Sequence, residues 1–180
     1  MINISLYEGI NVKNLQCLGH GYQGKVYKIN SGKCIKVFKK QSECIDEIET
    51  LVMAQNNDHF PKLYSFGYNY IIRELVVGVE LDKYLLNHPF TTHIAENILD
   101  LYEAMDSVGF TRLDVALFHI FITPNNEFKL IDTARLMKKK SIYPSIIIKE
   151  LNKLGYKDDF LNYIKEEKPE LYKKWSMSWK

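Results

Sequence analysis

Residues 109–135 decide the reading: Gly109-Phe-Thr-Arg112-Leu-Asp114-Val-Ala-Leu-Phe-His119-Ile-Phe-Ile-Thr-Pro124-Asn-Asn-Glu-Phe-Lys-Leu-Ile-Asp132-Thr-Ala-Arg135. The order is loop, strand, turn, strand, loop. Apolar side chains alternate at Phe118, Ile120 and Ile122, the turn signal Pro124-Asn125-Asn126 follows, and Phe128 and Leu130 resume the alternation. A hairpin brings its two ends together, so Asp114 and Asp132 are expected close in space. Two carboxylates at neighbouring strand ends, with no lysine adjacent in sequence, point to metal binding or proton transfer. Two ordinary loop aspartates are the competing explanation.

The chain of 180 residues is long enough for one domain, or for one split into two small lobes. Hydrophobic residues make up 46%, enough to bury a core. A net charge of +2 is too small to argue for nucleic acid. Lysine is abundant, yet only three arginines occur, Arg73, Arg112 and Arg135, and the last two flank the paired aspartates. That placement hints that guanidinium geometry matters there. Cys17, Cys34 and Cys44 are odd in number and lack metal-ligand spacing, which fits a reduced, cytoplasmic setting. No apolar run approaches a membrane span, no signal-peptide core is present, and no repeat or low-complexity tract is found.

Upstream, residues 1–13 have weak strand or helix character. Gly19-His20-Gly21-Tyr22-Gln23-Gly24-Lys25-Val26-Tyr27 follows. Glycines at 19, 21 and 24 let a backbone turn sharply and offer N–H groups to phosphate oxygens. Strand residues, not a helix, come next, which argues against a dinucleotide-binding turn and for a β-hairpin lid. Asn30-Ser31-Gly32 reads as a tight turn between two strands, and Lys36 falls within the apolar run Cys34-Ile35-Lys36-Val37-Phe38. An edge-strand lysine facing water is its ordinary explanation. Residues 42–55 read as a helix with Ser42 at its N-cap and Ile45, Ile48, Leu51, Val52 and Gln55 inward. Glu47 falls near that inward side and would need a partner, for which Lys36 is available; otherwise it is solvated beside Glu49. Strands are expected at 60–67 and 69–77, with Gly78 as a break. Helices are expected at 81–86 and 92–108, the second facing Ile94, Ala95, Ile98, Leu101, Tyr102 and Met105 inward. A basic cluster at 138–140 precedes a Pro144-initiated helix through Leu154, capped by Gly155. Short amphipathic helices are expected at 159–167 and 170–179.

The order of these features resembles the protein-kinase fold over roughly residues 15–135. In that resemblance, the stretch from Gly19 through Gly21 and Gly24 to Val26 is the phosphate lid. Lys36 is similar to the strand lysine that holds the α- and β-phosphates, and Glu47 to its helix partner. Glu74, Leu75 and Val76 look like the hinge whose backbone meets adenine. Asp114 looks like the catalytic-loop aspartate and Asp132 like the metal-binding aspartate.

The departures are specific. Arg112-Leu113-Asp114 stands where kinases carry His-Arg-Asp, and Leu113 cannot pair with a phosphate. His119 replaces the metal-binding asparagine; imidazole suits softer metals than Mg²⁺. If the ring points at the metal site, this implies a preference for Mn²⁺, with the Asp132 carboxylate favouring the protonated ring and bound metal the neutral one; a satisfied strand histidine turned away from the site is the competing explanation. Asp-Phe-Gly has become Asp132-Thr133-Ala134. Arg73 takes the gatekeeper position. Only 45 residues follow Arg135, and they hold no Ala-Pro-Glu motif. A shortened C-lobe resembles small atypical kinases, such as the RIO kinases and the kinase subunit of the KEOPS complex, and small bacterial kinase-like proteins. Aminoglycoside phosphotransferases match less well because of their larger substrate domain.

The resemblance therefore implies an α+β, bilobal kinase-like fold. The N-lobe, about residues 1–77, has a five-stranded antiparallel sheet plus one helix. A hinge spans about 74–80, and a reduced, mostly helical C-lobe about 81–180. The implied activity is ATP-dependent phosphotransfer to protein Ser/Thr, with ATP and Mg²⁺ or Mn²⁺ as cofactors. A pseudokinase scaffold with a protein partner is the alternative, and a small-molecule kinase the third.

Overall fold

A computed structural model describes residues 6–138 and 140–177. The chain is α+β. Its largest sheet has five antiparallel strands: β3 (Cys17–His20), β4 (Gly24–Lys28), β5 (Lys33–Phe38), β6 (Leu63–Phe66) and β7 (Tyr70–Glu74). Their spatial order is β3-β4-β5-β7-β6, so β5 is central. The lead-in forms a small hairpin, β1 (Leu6–Tyr7) and β2 (Ile10–Asn11).

Alternation along β5 sorts its side chains between the two faces of the sheet. Ile35 packs with Val12 and Ile72 on one face. Phe38 packs with Cys44, Leu51 and Ile71 on the other, under helix α1 (Gln41–Met53). Lys36 shares the parity of Phe38, so it points toward the α1 side. It is 6% exposed in the middle strand, not the solvated edge lysine of its ordinary explanation.

Helix α1 differs from expectation in its rotation. Ile45 and Val52 are exposed, while Cys44, Glu47, Thr50 and Leu51 are buried. Glu47 is inward with Lys36 as its partner, as expected, and Thr50 turns inward beside it because it bonds Thr133, which an apolar periodicity cannot register. Ser42 lies inside the helix, and Lys40 takes the N-cap without a side-chain hydrogen bond. Strands β6 and β7 are shorter than the expected 60–67 and 69–77, and residues 75–77 are irregular.

The second sheet joins β8 (Val79–Glu80), β9 (Ile120–Ile122) and β10 (Phe128–Leu130) in the order β10-β9-β8. The expected hairpin is present, with Ile122 opposite Phe128 and Ile120 opposite Leu130. Asn126, in the turn, takes φ +62°. Phe118 is not part of the strand: it sits in the 3₁₀ turn Leu117–His119 with its ring exposed. Gly78 has no room for a Cβ, which would lie 2.3 Å from the carbonyl oxygen of Ile122.

The remaining helices are α2 (Leu81–Leu85), α3 (Thr92–Ser107), α4 (Ser145–Leu154), α5 (Lys157–Glu167) and α6 (Pro169–Ser176). Thr91 caps α3 through its side chain, and all six of its expected inward residues are buried. Gly155 ends α4 at φ +84°, a left-handed position that favours glycine. Trp175 of α6 is buried against Tyr102 and Phe160, and its indole N–H donates to the Ile142 carbonyl at 3.0 Å. This contact pins the segment before α4. Of the lysines at 138–140, Lys138 pairs with Asp46 of α1 at 2.8 Å, and Lys139 lies outside the described residues, as does Trp179 of the last expected helix. No helix of the described residues is long and apolar enough to cross a membrane.

Candidate functional site

Lys36 is the hub. Its ammonium has three N–H donors, and each finds an acceptor: Glu47 Oε2 at 2.5 Å, Gln23 Oε1 at 2.8 Å and Asp132 Oδ1 at 3.3 Å. The three acceptors come from α1, from the loop before β4 and from the segment after β10. One cation therefore ties together parts of the chain up to 96 residues apart. Glu47 is 1% exposed and also faces Arg73, whose Nε lies 3.9 Å from its Oε1. Burying a carboxylate this deeply is tolerable only when it is paired. Arg73 is itself buried, its Nη1 donating to the Glu74 carbonyl at 2.9 Å while Nε lacks a hydrogen bond among the described residues.

Asp132 sits at φ +61°, a left-handed backbone unusual for a residue with a side chain. Its Oδ2 lies 3.6 Å from His119 Nε2. Burial pushes the His119 imidazole below its ordinary pKa, and the opposing pull of Asp132 is the smaller effect. The expectation that Asp132 would favour the protonated ring is thus corrected: loss of water around the ring outweighs the neighbouring carboxylate. Among the described residues no group of three or more His, Cys, Asp or Glu side chains could enclose a metal ion. One carboxylate with an adjacent imidazole suits a cation that completes its shell with phosphate oxygens and water, not an all-protein cage.

Asp114 is 9% exposed and lies in a different web. Its Oδ1 accepts from the Ile146 N–H at 2.7 Å and its Oδ2 from the Ser145 hydroxyl at 2.8 Å, both at the start of α4. Glu150, further along α4, accepts from the Leu117 N–H at 2.7 Å. Leu113 donates its N–H to Ser141. Helix α4 and its lead-in therefore hold residues 113–117 at three points.

Both aspartates line one cavity of about 800 Å³, although no hydrogen bond joins them. The cavity is also lined by Gly19, Gly21, Gly24, Val26, Lys36 and His119. All three arginines of the chain line it too. Arg112 and Arg135 have no ion-pair partner among the described residues, and they line this space together with the carboxylates of Asp114, Asp132 and Glu150. In a chain that otherwise uses lysine, this concentrates planar, anion-matching donors at one place.

The glycines of the 19–24 loop play different parts from those expected. None has a left-handed backbone, and a Cβ at Gly19 or Gly21 would meet open space. Only Gly24 is sterically required, since a Cβ there would lie 2.0 Å from the Val37 carbonyl oxygen. Gln23, which the sequence did not mark, folds inward to reach Lys36. Ser145, Glu150, Thr50 and Thr133 likewise carried no motif that marked them as contacts.

Glu74, Leu75 and Val76 do not line the cavity. The Glu74 side chain pairs with Lys129 at 2.7 Å, its carbonyl accepts from Arg73, and the Leu75 N–H donates to the Gly32 carbonyl at 3.0 Å. Arg73 stands between this segment and Glu47. No protein-family model matches the sequence, and no curated protein matches it.

Proposed function

We propose that the protein is an ATP-dependent phosphotransferase on a bilobal, protein-kinase-like arrangement, moving the γ-phosphoryl group of ATP to a Ser/Thr hydroxyl of a protein. The observation that carries this reading is the convergence of Glu47 and Asp132 on Lys36 in a cavity that Asp114 also lines. Lys36, fixed by Glu47, holds phosphate oxygens. Asp132, with His119 beside it, holds a divalent cation, which when bound neutralises phosphate charge. Asp114 orients the acceptor hydroxyl and takes its proton. Phosphate entry requires Lys36 to release an acceptor, and neutral Gln23 is the weakest of the three, because charge-assisted bonds to carboxylates are stronger. Arg112 and Arg135 supply further positive charge.

A partner-binding scaffold is the second reading. It is favoured by the saturation of Lys36, by the occupation of both Asp114 oxygens, and by the Glu74 carbonyl already accepting from Arg73. Thermal denaturation with ATP and Mg²⁺ or Mn²⁺ tests the phosphate-binding half of the proposal. The proposal expects a rise in melting temperature that Lys36→Met loses. No rise with either metal would contradict it, and a rise without any transfer would favour the scaffold.

A further inference from the structure

We propose that Ser145 is a phosphoacceptor of this same site, so that the chain phosphorylates itself in cis at the start of α4. The proposal rests on the phosphotransferase reading. Its ground is one contact: the exposed Ser145 donates its hydroxyl to Asp114 Oδ2 at 2.8 Å. A general base must lie within about 2.6–3.2 Å of the oxygen whose proton it takes. Ser145 meets that condition without any movement of the chain.

No other serine or threonine hydroxyl among the described residues donates to Asp114. Thr50 and Thr133 are buried and bonded to each other, and Ser141 and Thr111 donate to backbone carbonyls. Ser65 bonds a carboxylate, Glu8, that does not line the cavity, whereas Ser145, itself outside the lining, bonds Asp114, which lines it. Asp114 is also aimed: the Ile146 N–H holds Oδ1 and leaves Oδ2 to the hydroxyl. The Glu150 bond to Leu117 and the Leu113 bond to Ser141 fix base and acceptor in one frame. An intramolecular acceptor held this way needs no peptide-docking platform, since proximity is already supplied.

In the step, Ser145 Oγ attacks the γ-phosphorus of ATP. The Oγ–P bond forms, the bond from phosphorus to the β,γ-bridging oxygen breaks, and ADP leaves with that electron pair. The hydroxyl proton passes to Asp114. Arg112 and Arg135 line the cavity in which the phosphoryl charge develops.

The test incubates the purified full chain with ATP and Mg²⁺ or Mn²⁺, beside a generic protein acceptor, and maps phosphate by mass spectrometry. The expected result is one phosphate at position 145 of the wild-type chain, gained at a rate per molecule that dilution does not change. It is lost in Asp114→Asn and in Ser145→Ala, and retained at that position in Ser145→Thr. Transfer to the added acceptor or to other residues, with Ser145 unmodified, would overturn this inference and leave the phosphotransferase reading standing. Faster transfer by Ser145→Ala with wild-type Ser145 unmodified would make the serine a plug only, and overturns it too. Neither binding nor consumption of ATP would overturn both.

Discussion

Thr50 and Thr133 meet hydroxyl to hydroxyl at 2.7 Å, both wholly buried, where helix α1 crosses the segment after Asp132. Thr50 Oγ also lies 3.0 Å from the Glu47 carbonyl and 3.2 Å from that of Asp46. With the Thr50 proton directed back into its own helix, Thr133 becomes the donor across the interface. The pair holds Glu47 and Asp132 in register around Lys36.

The two threonines are therefore not equivalent. Thr50→Val strands the Thr133 hydroxyl and is expected to cost about 1–3 kcal/mol. Thr133→Val leaves Thr50 bonded to its own helix and is expected to cost about 1 kcal/mol or less. The double variant should cost less than the sum. Urea denaturation of the four proteins, read as a double-mutant cycle, measures the coupling. Additive costs would mean the contact contributes nothing.

The glycine loop separates into fold and ligand roles. Gly24→Ala drives a Cβ into the β5 backbone and should destabilise by about 3 kcal/mol. Gly19→Ala and Gly21→Ala fill open space and should change stability by no more than about 0.5 kcal/mol. On the phosphotransferase reading their effect should instead appear as weaker nucleotide binding, since a methyl group would stand where that reading brings the backbone to phosphate. Denaturation midpoints and nucleotide titrations of the three variants check both halves.

His119 gives a pH dependence with a defined sign. Its pKa is lowered in the folded chain, chiefly by burial, with Lys36 lowering it further and Asp132 and Glu80 opposing. Below the unfolded value of 6.5, the unfolded chain binds the proton more readily than the folded one. The contribution of His119 is thus fully present above pH 6.5 and is lost as pH falls from there toward the folded value. His119→Asn should flatten that part of the stability curve. Urea midpoints at a series of pH values compare the two proteins, and an unchanged slope would remove His119 as its source.

The elements with strong local signals were legible in the sequence. The β9–β10 turn at Pro124-Asn125-Asn126, the inward face of α3 and the Gly155 cap are each fixed by neighbours in sequence. So was the pairing of Lys36 with Glu47, because a charged residue in each of two apolar segments demands a partner. The rotation of α1 was legible only in part: Glu47 falls near the inward side of the pattern, but the burial of Thr50 against Thr133 and the exposure of Ile45 and Val52 do not follow from it. Asp114 was marked as a site residue, but its tie to Ser145 and Ile146 joins positions about thirty residues apart with no motif. The lowering of the His119 pKa was not legible, because burial, its chief cause, is a tertiary property.

The account stands on Asp114 acting as the base for a hydroxyl that receives the γ-phosphoryl group. The direct measurement is transfer of label from γ-labelled ATP to protein, by wild type and by Asp114→Asn, with nucleotide binding followed in parallel. The account predicts that wild type transfers label, and that Asp114→Asn binds nucleotide but loses transfer by at least about a hundredfold. Label transfer that survives Asp114→Asn undiminished would contradict it.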